Sequence, residues 1–292
     1  MKKPLFFGVD FTSRPTLKKP ITRALARFND NEILEVYGLE SAATFAGFEA
    51  WLDDNAPWVA GFDFPFGLPQ EYVAHLGWPT QWQALMQTVS AHSREELRNL
   101  SKAFCDGREV GNKFAHRLCD VTAGSSSSMK WVNPPVLYML LEGAPRLAVR
   151  DINTPSLRES ATASGTALEA YPGYLARALI GNMSYKSDDK AKQNEDREAA
   201  RGLIIGRLLG GVMKMPIIVL SQDVADAALA DASGDCLDAI LCVIQAAMAW
   251  QLREANWGVP SGDNAFKLRV AQEGWIAGVP QTGLISRSKN AA

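Results

Sequence analysis

Short apolar runs, each stopped by polar or turn-forming residues, dominate the first quarter of the chain. They predict a buried strand over 5–13, two shorter strands over 21–28 and 33–39, and a fourth over 58–64. Turn-like residues at 29–31 separate the second run from the third. The tight spacing of the first three runs indicates an antiparallel meander.

A helix is predicted between the third and fourth strands. Ser41 is suited to cap its N-terminus, and Phe45, Phe48 and Leu52 recur at the spacing of one helical face. Three strands, a helix and a further strand favour an α/β fold in which a mixed sheet is covered by a helix.

Residues 70–165 interrupt this rhythm. Ser93 and Glu96 have the spacing of a capping box, which predicts a helix from Ser93. The serine run at 125–128 is typical of a flexible loop, and the prolines at 134 and 135 form a rigid stop. We interpret the stretch as a mostly helical insertion into one domain spanning 1–285, because its apolar residues are too scattered for a core of their own.

The remaining sequence predicts one more strand and several helices. The strand covers 166–171 and stops at Pro172, with a helix following over 173–180. Ser221 is placed to cap another helix. After Gly234 a long helix begins, and its apolar stripe consists of Leu237, Ile240, Leu241, Ile244 and Met248. We expect the tail at 286–292 to be disordered.

Composition narrows the class of protein. The 292 residues are 47% hydrophobic and 21% charged, and the formal net charge of -2 argues against tight non-specific binding to nucleic acid. No apolar run reaches the ~20 residues that span a bilayer, and the N-terminus does not resemble a signal peptide. We therefore expect a soluble, cytoplasmic protein whose four cysteines are reduced.

Five acidic residues depart from the apolar pattern around them. Asp10, Asp63 and Glu169 lie at or near the ends of predicted strands, where a charge is costly unless it is paired or bound to metal. Asp235 and Asp238 are three residues apart and share a helical face. Such a set of carboxylates suits divalent cations, and without metal its members should raise one another's pKa.

Each acid also has a structural explanation. Asp10 can close a turn with Thr12, and Asp63 can accept hydrogen bonds in a turn before Pro65. Asp235 and Asp238 lie in a first helical turn, which favours acids in any case. Glu169 is the hardest to explain in this way, because strand interiors disfavour glutamate.

Several phrases together resemble the domain-of-unknown-function family 429, described as predicted RNase H-like nucleases. The resemblance covers most of the first 250 residues and rests on Gly8-Val9-Asp10, Gly61-Phe62-Asp63-Phe64-Pro65-Phe66-Gly67-Leu68-Pro69, His116-Arg117-Leu118-Cys119-Asp120, Glu169-Ala170-Tyr171-Pro172, Tyr185-Lys186 and Asp235-Cys236-Leu237-Asp238-Ala239.

The resemblance implies an RNase H-like fold, with a five-stranded mixed sheet in the order 3-2-1-4-5 and helices on both faces. It implies a metal-dependent nuclease in which Asp10 bridges two Mg²⁺ or Mn²⁺ ions. Asp63 and Asp238 would be further ligands, and Asp235 a ligand or its neighbour. The family also carries an acid at the position of Glu169, so the implied catalytic set has five members.

Three basic residues are candidate contacts to substrate phosphates: Lys113, Arg117 and Lys186. An ion pair between Arg117 and Asp120 explains Arg117 equally well. Trp131 and Tyr138 can stack on bases, although aromatic residues in a helical insertion more often belong to the core.

Two other functions are compatible with the same predicted fold. Actin-like phosphotransferases also place an aspartate after the first strand, but they need a following glycine, and Phe11-Thr12-Ser13 follows here. A non-catalytic scaffold for a partner is the third interpretation. Geometry separates them, because the nuclease requires Asp10, Asp63 and Asp238 to converge closely enough to share a metal.

Overall fold

The computed structural model describes residues 3–211 and 215–281. It contains seven strands: β1 (Leu5–Asp10), β2 (Ile21–Phe28), β3 (Leu34–Ala42), β4 (Trp58–Phe62), β5 (Ile152–Asn153), β6 (Gly165–Glu169) and β7 (Ile218–Leu220). The α-helices in these ranges are α1 (Phe45–Leu52), α2 (Gln70–Leu76), α3 (Trp82–Ser90), α4 (Arg94–Asp106), α5 (Leu118–Ala123), α6 (Val136–Ala148), α7 (Pro172–Ile180), α8 (Glu195–Leu209), α9 (Gln222–Ala230), α10 (Asp235–Gln251) and α11 (Asn264–Glu273). Short 3₁₀ helices cover Lys190–Lys192 and Arg253–Gly258.

The strands form one mixed sheet in the order β5-β6-β4-β1-β2-β3-β7. β1, β2 and β3 are antiparallel neighbours, whereas β4 is parallel to both β1 and β6. The predicted α/β class and the antiparallel meander are therefore confirmed. The sheet has seven strands instead of five, because β5 and β7 add two and three residues at its edges.

Alternating side chains divide the core between the two faces of the sheet. Phe7 and Val9 of β1 belong to the cluster that packs against the helices of 70–165. Phe6 belongs to a second cluster, which contains the apolar residues of α10. We call these faces the insertion face and the α10 face.

The segment 70–165 is mostly helical, as predicted, and contributes α2 to α6. Its buried leucines, among them Leu85, Leu97 and Leu140, join the core on the insertion face of the sheet. The Ser93–Glu96 capping box is present, with both of its reciprocal hydrogen bonds formed. The scattered apolar residues of this segment are therefore explained by the sheet face on which they pack.

Some predicted boundaries were wrong. Ser41 lies within β3, and Thr44 caps α1 by accepting a hydrogen bond from the Gly47 amide at 3.1 Å. Ser221 occupies the N-cap position of α9 without a capping hydrogen bond from its side chain. The predicted disorder of 286–292 lies outside the described residues.

Two expectations from composition have structural counterparts. Across 3–211 and 215–281, no helix combines the length and apolar character that a membrane crossing requires. The four cysteines are unpaired thiols, of which Cys236 is half-buried and the others are buried.

Candidate metal centre

Asp10 and Asp63 are brought together by the register of two parallel strands. Asp10 is the last residue of β1, and Asp63 directly follows β4. Val9 is paired with Phe62, and the Asp63 amide donates to the Val9 carbonyl at 2.9 Å. The two aspartates are therefore level with each other, and their side chains lie on the same α10 face because side chains alternate along each strand.

Asp238 reaches this point because α10 packs very closely on the centre of the sheet. A Cβ atom on Gly8 would lie 2.1 Å from the Val243 nitrogen, and one on Gly61 would lie 2.3 Å from the Cys242 carbonyl oxygen. Only glycine permits this approach of the helix backbone. Asp238 lies in the first turn of the helix, directly above the strand ends.

The three carboxylates converge. Each of Asp10, Asp63 and Asp238 offers an oxygen atom, and these atoms all lie within 4.8 Å of one another. Asp10 and Asp238 are buried, whereas Asp63 is half-buried. Carboxylate oxygens are the ligands that hard divalent cations prefer. The chemistry of the donors therefore fits a metal ion, and this group could hold one.

Burial shifts the acid–base equilibria of this group. It raises the pKa of Asp10 well above its ordinary value, with Asp238 and Asp235 adding repulsion. Burial, followed by repulsion from Asp238, raises the pKa of Asp63 to about 7. The pKa of Asp238 is also raised by burial, against the opposing effect of Lys186. The expected rise in pKa is confirmed, but burial contributes more to it than mutual repulsion does.

Both oxygens of Asp238 have partners on the segment between α7 and α8. The Tyr185 hydroxyl donates to Oδ1 at 2.6 Å, and the Lys186 ammonium donates to Oδ2. Lys186, predicted to contact phosphate, is thus in the site but paired with a candidate metal ligand.

Asp235 lies outside the group of three. Its Oδ1 accepts from the Lys19 ammonium at 2.9 Å, and Lys19 also binds Asp188 at 2.6 Å. Asp235 is still close enough to raise the pKa of Asp10. It therefore flanks the three carboxylates without joining the cluster.

The side chain of Glu169 lies on the other face of the sheet from the three aspartates, because the register between β4 and β6 differs by one residue from the one that would pair it with Asp63. Glu169 pairs with Phe62, not with Asp63, so its side chain lies on the insertion face. There Arg117 binds both of its oxygens, at 2.6 and 2.7 Å. Glu169 thus belongs to a buried ion pair and lies outside the cluster of three aspartates, although it borders the same cavity and its charge adds to the rise in the pKa of Asp63.

Arg117 is committed to the same network. Its guanidinium also binds Asp120, with Nη2 at 2.8 Å from Oδ1, and is 2% exposed. The alternative interpretation of Arg117 as an ion-pair partner of Asp120 is confirmed. A guanidinium held by two carboxylates has little capacity left for a phosphate.

The other candidate contacts lie away from the aspartates. Lys113 is exposed, and it is absent from the described residues that line the cavity at this site. Trp131 packs edge-on against Phe114, and Arg94 covers the ring of Tyr138. The core interpretation therefore holds for Trp131, and Tyr138 is half-buried beneath a cation.

A cavity of about 830 Å³ opens over the site. Its polar wall includes Asp10, Asp63, Asp235, Lys19 and Lys186. The remaining wall is mixed: it contains Arg117 and Glu169, several serines, and the apolar residues Pro134, Val136 and Met139. The volume lies within the range of ~300–1,000 Å³ typical of small-molecule sites.

Sequence reasoning assigned no role to two residues that bind the acids. Lys19 lies in a polar connection between β1 and β2, and nothing in the surrounding sequence distinguishes it from the other lysines of the chain. Tyr185 stands in the Tyr185-Lys186 phrase, so its position beside Lys186 was the available signal.

No known protein was found that is similar to this chain. Comparisons of the chain with protein-family models, with curated proteins and with solved structures found no match.

Proposed function

We propose that this protein is a divalent-metal-dependent nuclease that hydrolyses phosphodiester bonds. The observation that carries the proposal is the convergence of Asp10, Asp63 and Asp238 within 4.8 Å beside a cavity large enough for a nucleotide. The five longest strands run in the order β3-β2-β1-β4-β6. That order agrees with an RNase H-like fold and supports it as the fold class.

Mg²⁺ or Mn²⁺ is the proposed cofactor, and Asp10, Asp63 and Asp238 would hold it. Two such ions, when bound, lower the pKa of the attacking water and stabilise the leaving oxygen. Asp235 is a further carboxylate beside the three. It could bind a metal only if its ion pair with Lys19 were broken.

The chain's own cations suit a phosphate in this cavity. Lys19 and Lys186 both line it, and their ammonium groups provide positive charge where the overall charge of the protein is slightly negative. Carboxylates outnumber these ammonium groups, since Lys19 is shared between Asp235 and Asp188 and Lys186 pairs with Asp238, so the site has acidic groups to spare for divalent cations. The site therefore combines metal ligands with groups that contact the substrate.

The two alternatives receive less support. The chain between β1 and β2, residues 11–20, contains no glycine that would let a nucleotide phosphate approach the backbone, as a phosphotransferase requires. A scaffold without catalysis has no need for three carboxylates whose oxygens lie within 4.8 Å of one another, in a buried setting that raises their pKa.

The test is cleavage of labelled single-stranded, duplex and branched DNA and RNA with Mg²⁺ or Mn²⁺. We expect Asp10→Asn to lower the cleavage rate at least ~100-fold, because it removes a ligand charge from the centre. Asp223→Asn, an exposed aspartate on α9, is the matched control and should cleave like the wild type. Equal rates for the wild type and Asp10→Asn would reject the mechanism.

A further inference from the structure

Asp238 is already occupied by a cation of the protein itself. Its Oδ2 accepts from the Lys186 ammonium, while its Oδ1 accepts from the Tyr185 hydroxyl at 2.6 Å. An ammonium and a divalent ion on the same carboxylate oxygen repel each other strongly in a buried site. Asp238 cannot serve fully as a metal ligand while Lys186 stays in this position.

The backbone beneath Lys186 is held in place independently of Asp238. Arg201 of α8 donates to the Tyr185 carbonyl at 2.9 Å, and Arg197 donates to the Lys186 carbonyl at 3.2 Å. Arg201 is itself buried. The position of the Lys186 main chain is therefore set by α8 and does not depend on the contact with Asp238.

The Lys186 side chain, in contrast, has room to move. It is 41% exposed and lines the cavity over the aspartates. Lysine carries its charge on a flexible four-carbon stem. Its ammonium can thus leave Asp238 by rotation of side-chain bonds alone and remain inside the cavity.

We propose that Lys186 is a resident counter-cation that a divalent metal displaces from Asp238, and that the released ammonium then binds a phosphate of the substrate. This inference rests on the proposed function, since it assumes a metal at the three aspartates. Lys186 thereby competes with the metal for Asp238 and, once displaced, becomes a contact for the substrate. Metal binding comes first, because only a displaced Lys186 is free for phosphate.

Two measurements on the metal-loaded protein test this without relying on activity. The first is chemical labelling of lysines with an amine-reactive reagent, read by mass spectrometry with and without Mn²⁺. We expect labelling of Lys186 to rise several-fold when Mn²⁺ saturates the site. Lys190, an exposed lysine outside the cavity, is the internal control and should not change.

The second measurement is calorimetric Mn²⁺ binding at pH 8. Lys186→Met should bind Mn²⁺ about tenfold more tightly than the wild type, because the competing charge is gone. Lys190→Met, at an exposed position outside the cavity, is the matched control and should leave the Mn²⁺ affinity unchanged. The labelling uses the wild-type chain and gives a result even if a variant fails to fold.

Unchanged labelling of Lys186 in the Mn²⁺-saturated protein would overturn the inference, as would weaker Mn²⁺ binding by folded Lys186→Met. These outcomes differ from failure of the proposed function. Release of Lys186 by Mn²⁺ without cleavage of any nucleic acid would reject the nuclease and support the displacement. Cleavage without release of Lys186 would reject the displacement alone.

Discussion

Glu169 shows how a buried acid at a strand end can have a structural role. Arg117 binds both of its oxygens, and the Phe66 amide donates to Oε2 at 2.9 Å. Both charged side chains are nearly inaccessible to water, at 4% and 2% exposure. Phe66 lies three residues beyond Asp63. From the opposite face of the sheet, this network therefore fixes the stretch of chain that follows Asp63.

Glu169→Gln should therefore lower stability and spare the metal. Removing one partner of a buried ion pair costs about 3 kcal/mol in the free energy of unfolding, at the lower end of the usual range because Asp120 still pairs with Arg117. Urea unfolding measures this loss, and calorimetry should find Mn²⁺ affinity within about twofold of the wild type.

The control for this variant is Glu40→Gln, which removes an ion pair to Arg23 at an exposed position of β3 and should cost less than about 1 kcal/mol. If Glu169→Gln had normal stability but no longer bound Mn²⁺, Glu169 would have to be a metal ligand and not a structural residue.

At the residue scale, three of the five acids predicted from the sequence, Asp10, Asp63 and Asp238, converge in the structure. Asp10 and Asp63 were recognisable because both follow apolar strands, and Asp238 because it shares a helical face with Asp235. Glu169 followed the same pattern but faces the other way, since a shift of one residue in register reverses a side chain. The register between strands that are distant in the chain cannot be predicted from the local sequence pattern.

Among the elements, α10 determines whether the centre forms. It supplies Asp238, and its backbone rests on the glycines of two central strands at distances that admit no side chain. The position of Asp238 relative to Asp10 and Asp63 therefore depends on a helix-to-sheet distance, which Gly8 and Gly61 keep short.

Gly61→Ala should push α10 away from the sheet. The new methyl group would lie 2.3 Å from the Cys242 carbonyl oxygen, a backbone atom that cannot rotate aside. We expect a loss of about 3 kcal/mol in the free energy of unfolding, as for severe overpacking, together with weaker Mn²⁺ binding because Asp238 is displaced.

Gly38→Ala in β3 is the matched control. Its added methyl group meets only the Leu25 side chain at 3.6 Å, an ordinary contact, so both stability and metal affinity should stay near those of the wild type. Unaltered Mn²⁺ binding by a folded Gly61→Ala protein would show that the centre tolerates movement of α10.

The longer elements were predictable and the shortest were not. β1, β2 and α10 carry clear periodicity, so their type followed from the sequence. The edge strands β5 and β7 have two and three residues, too few for any period, and they form because a neighbouring strand offers free backbone groups. The cap of α1 was misplaced by three residues because Ser41 and Thr44 are both suited to capping.

At the scale of the whole molecule, groups from both faces of the sheet border one cavity. The insertion face carries the helices of 70–165 and the Arg117–Glu169 pair, whereas the α10 face carries the three aspartates. The sequence indicated the helices of the insertion, but not the face they cover. That assignment depends on packing between segments far apart in the chain, for which local pattern holds no information.

The balance between protons and metal in the centre should appear in the stability of the entire protein. Asp63 has a pKa of about 7 in the folded chain, against an ordinary value of 3.8. Between these pH values the folded state binds a proton that the unfolded state has lost. Stability measured in EDTA should consequently fall as pH rises through this window, by at most about 1.4 kcal/mol per pH unit for this group, and level off above pH 7.

Mn²⁺ should act in the opposite direction, because its binding requires ionised carboxylates and so strengthens as pH rises towards 7. The measurement is thermal or urea unfolding from pH 5 to 8, in EDTA and in Mn²⁺, for the wild type and Asp63→Asn. Subtracting the Asp63→Asn curve removes the contribution of carboxylates far from Asp63, which is common to both chains. In EDTA, the stability of Asp63→Asn relative to the wild type should increase as pH rises. In Mn²⁺ near pH 8, the wild type should instead be the more stable of the two. A difference between the two chains in EDTA that stays flat from pH 5 to 8 would mean that Asp63 is already ionised in the metal-free fold, and that metal binding displaces no proton from it.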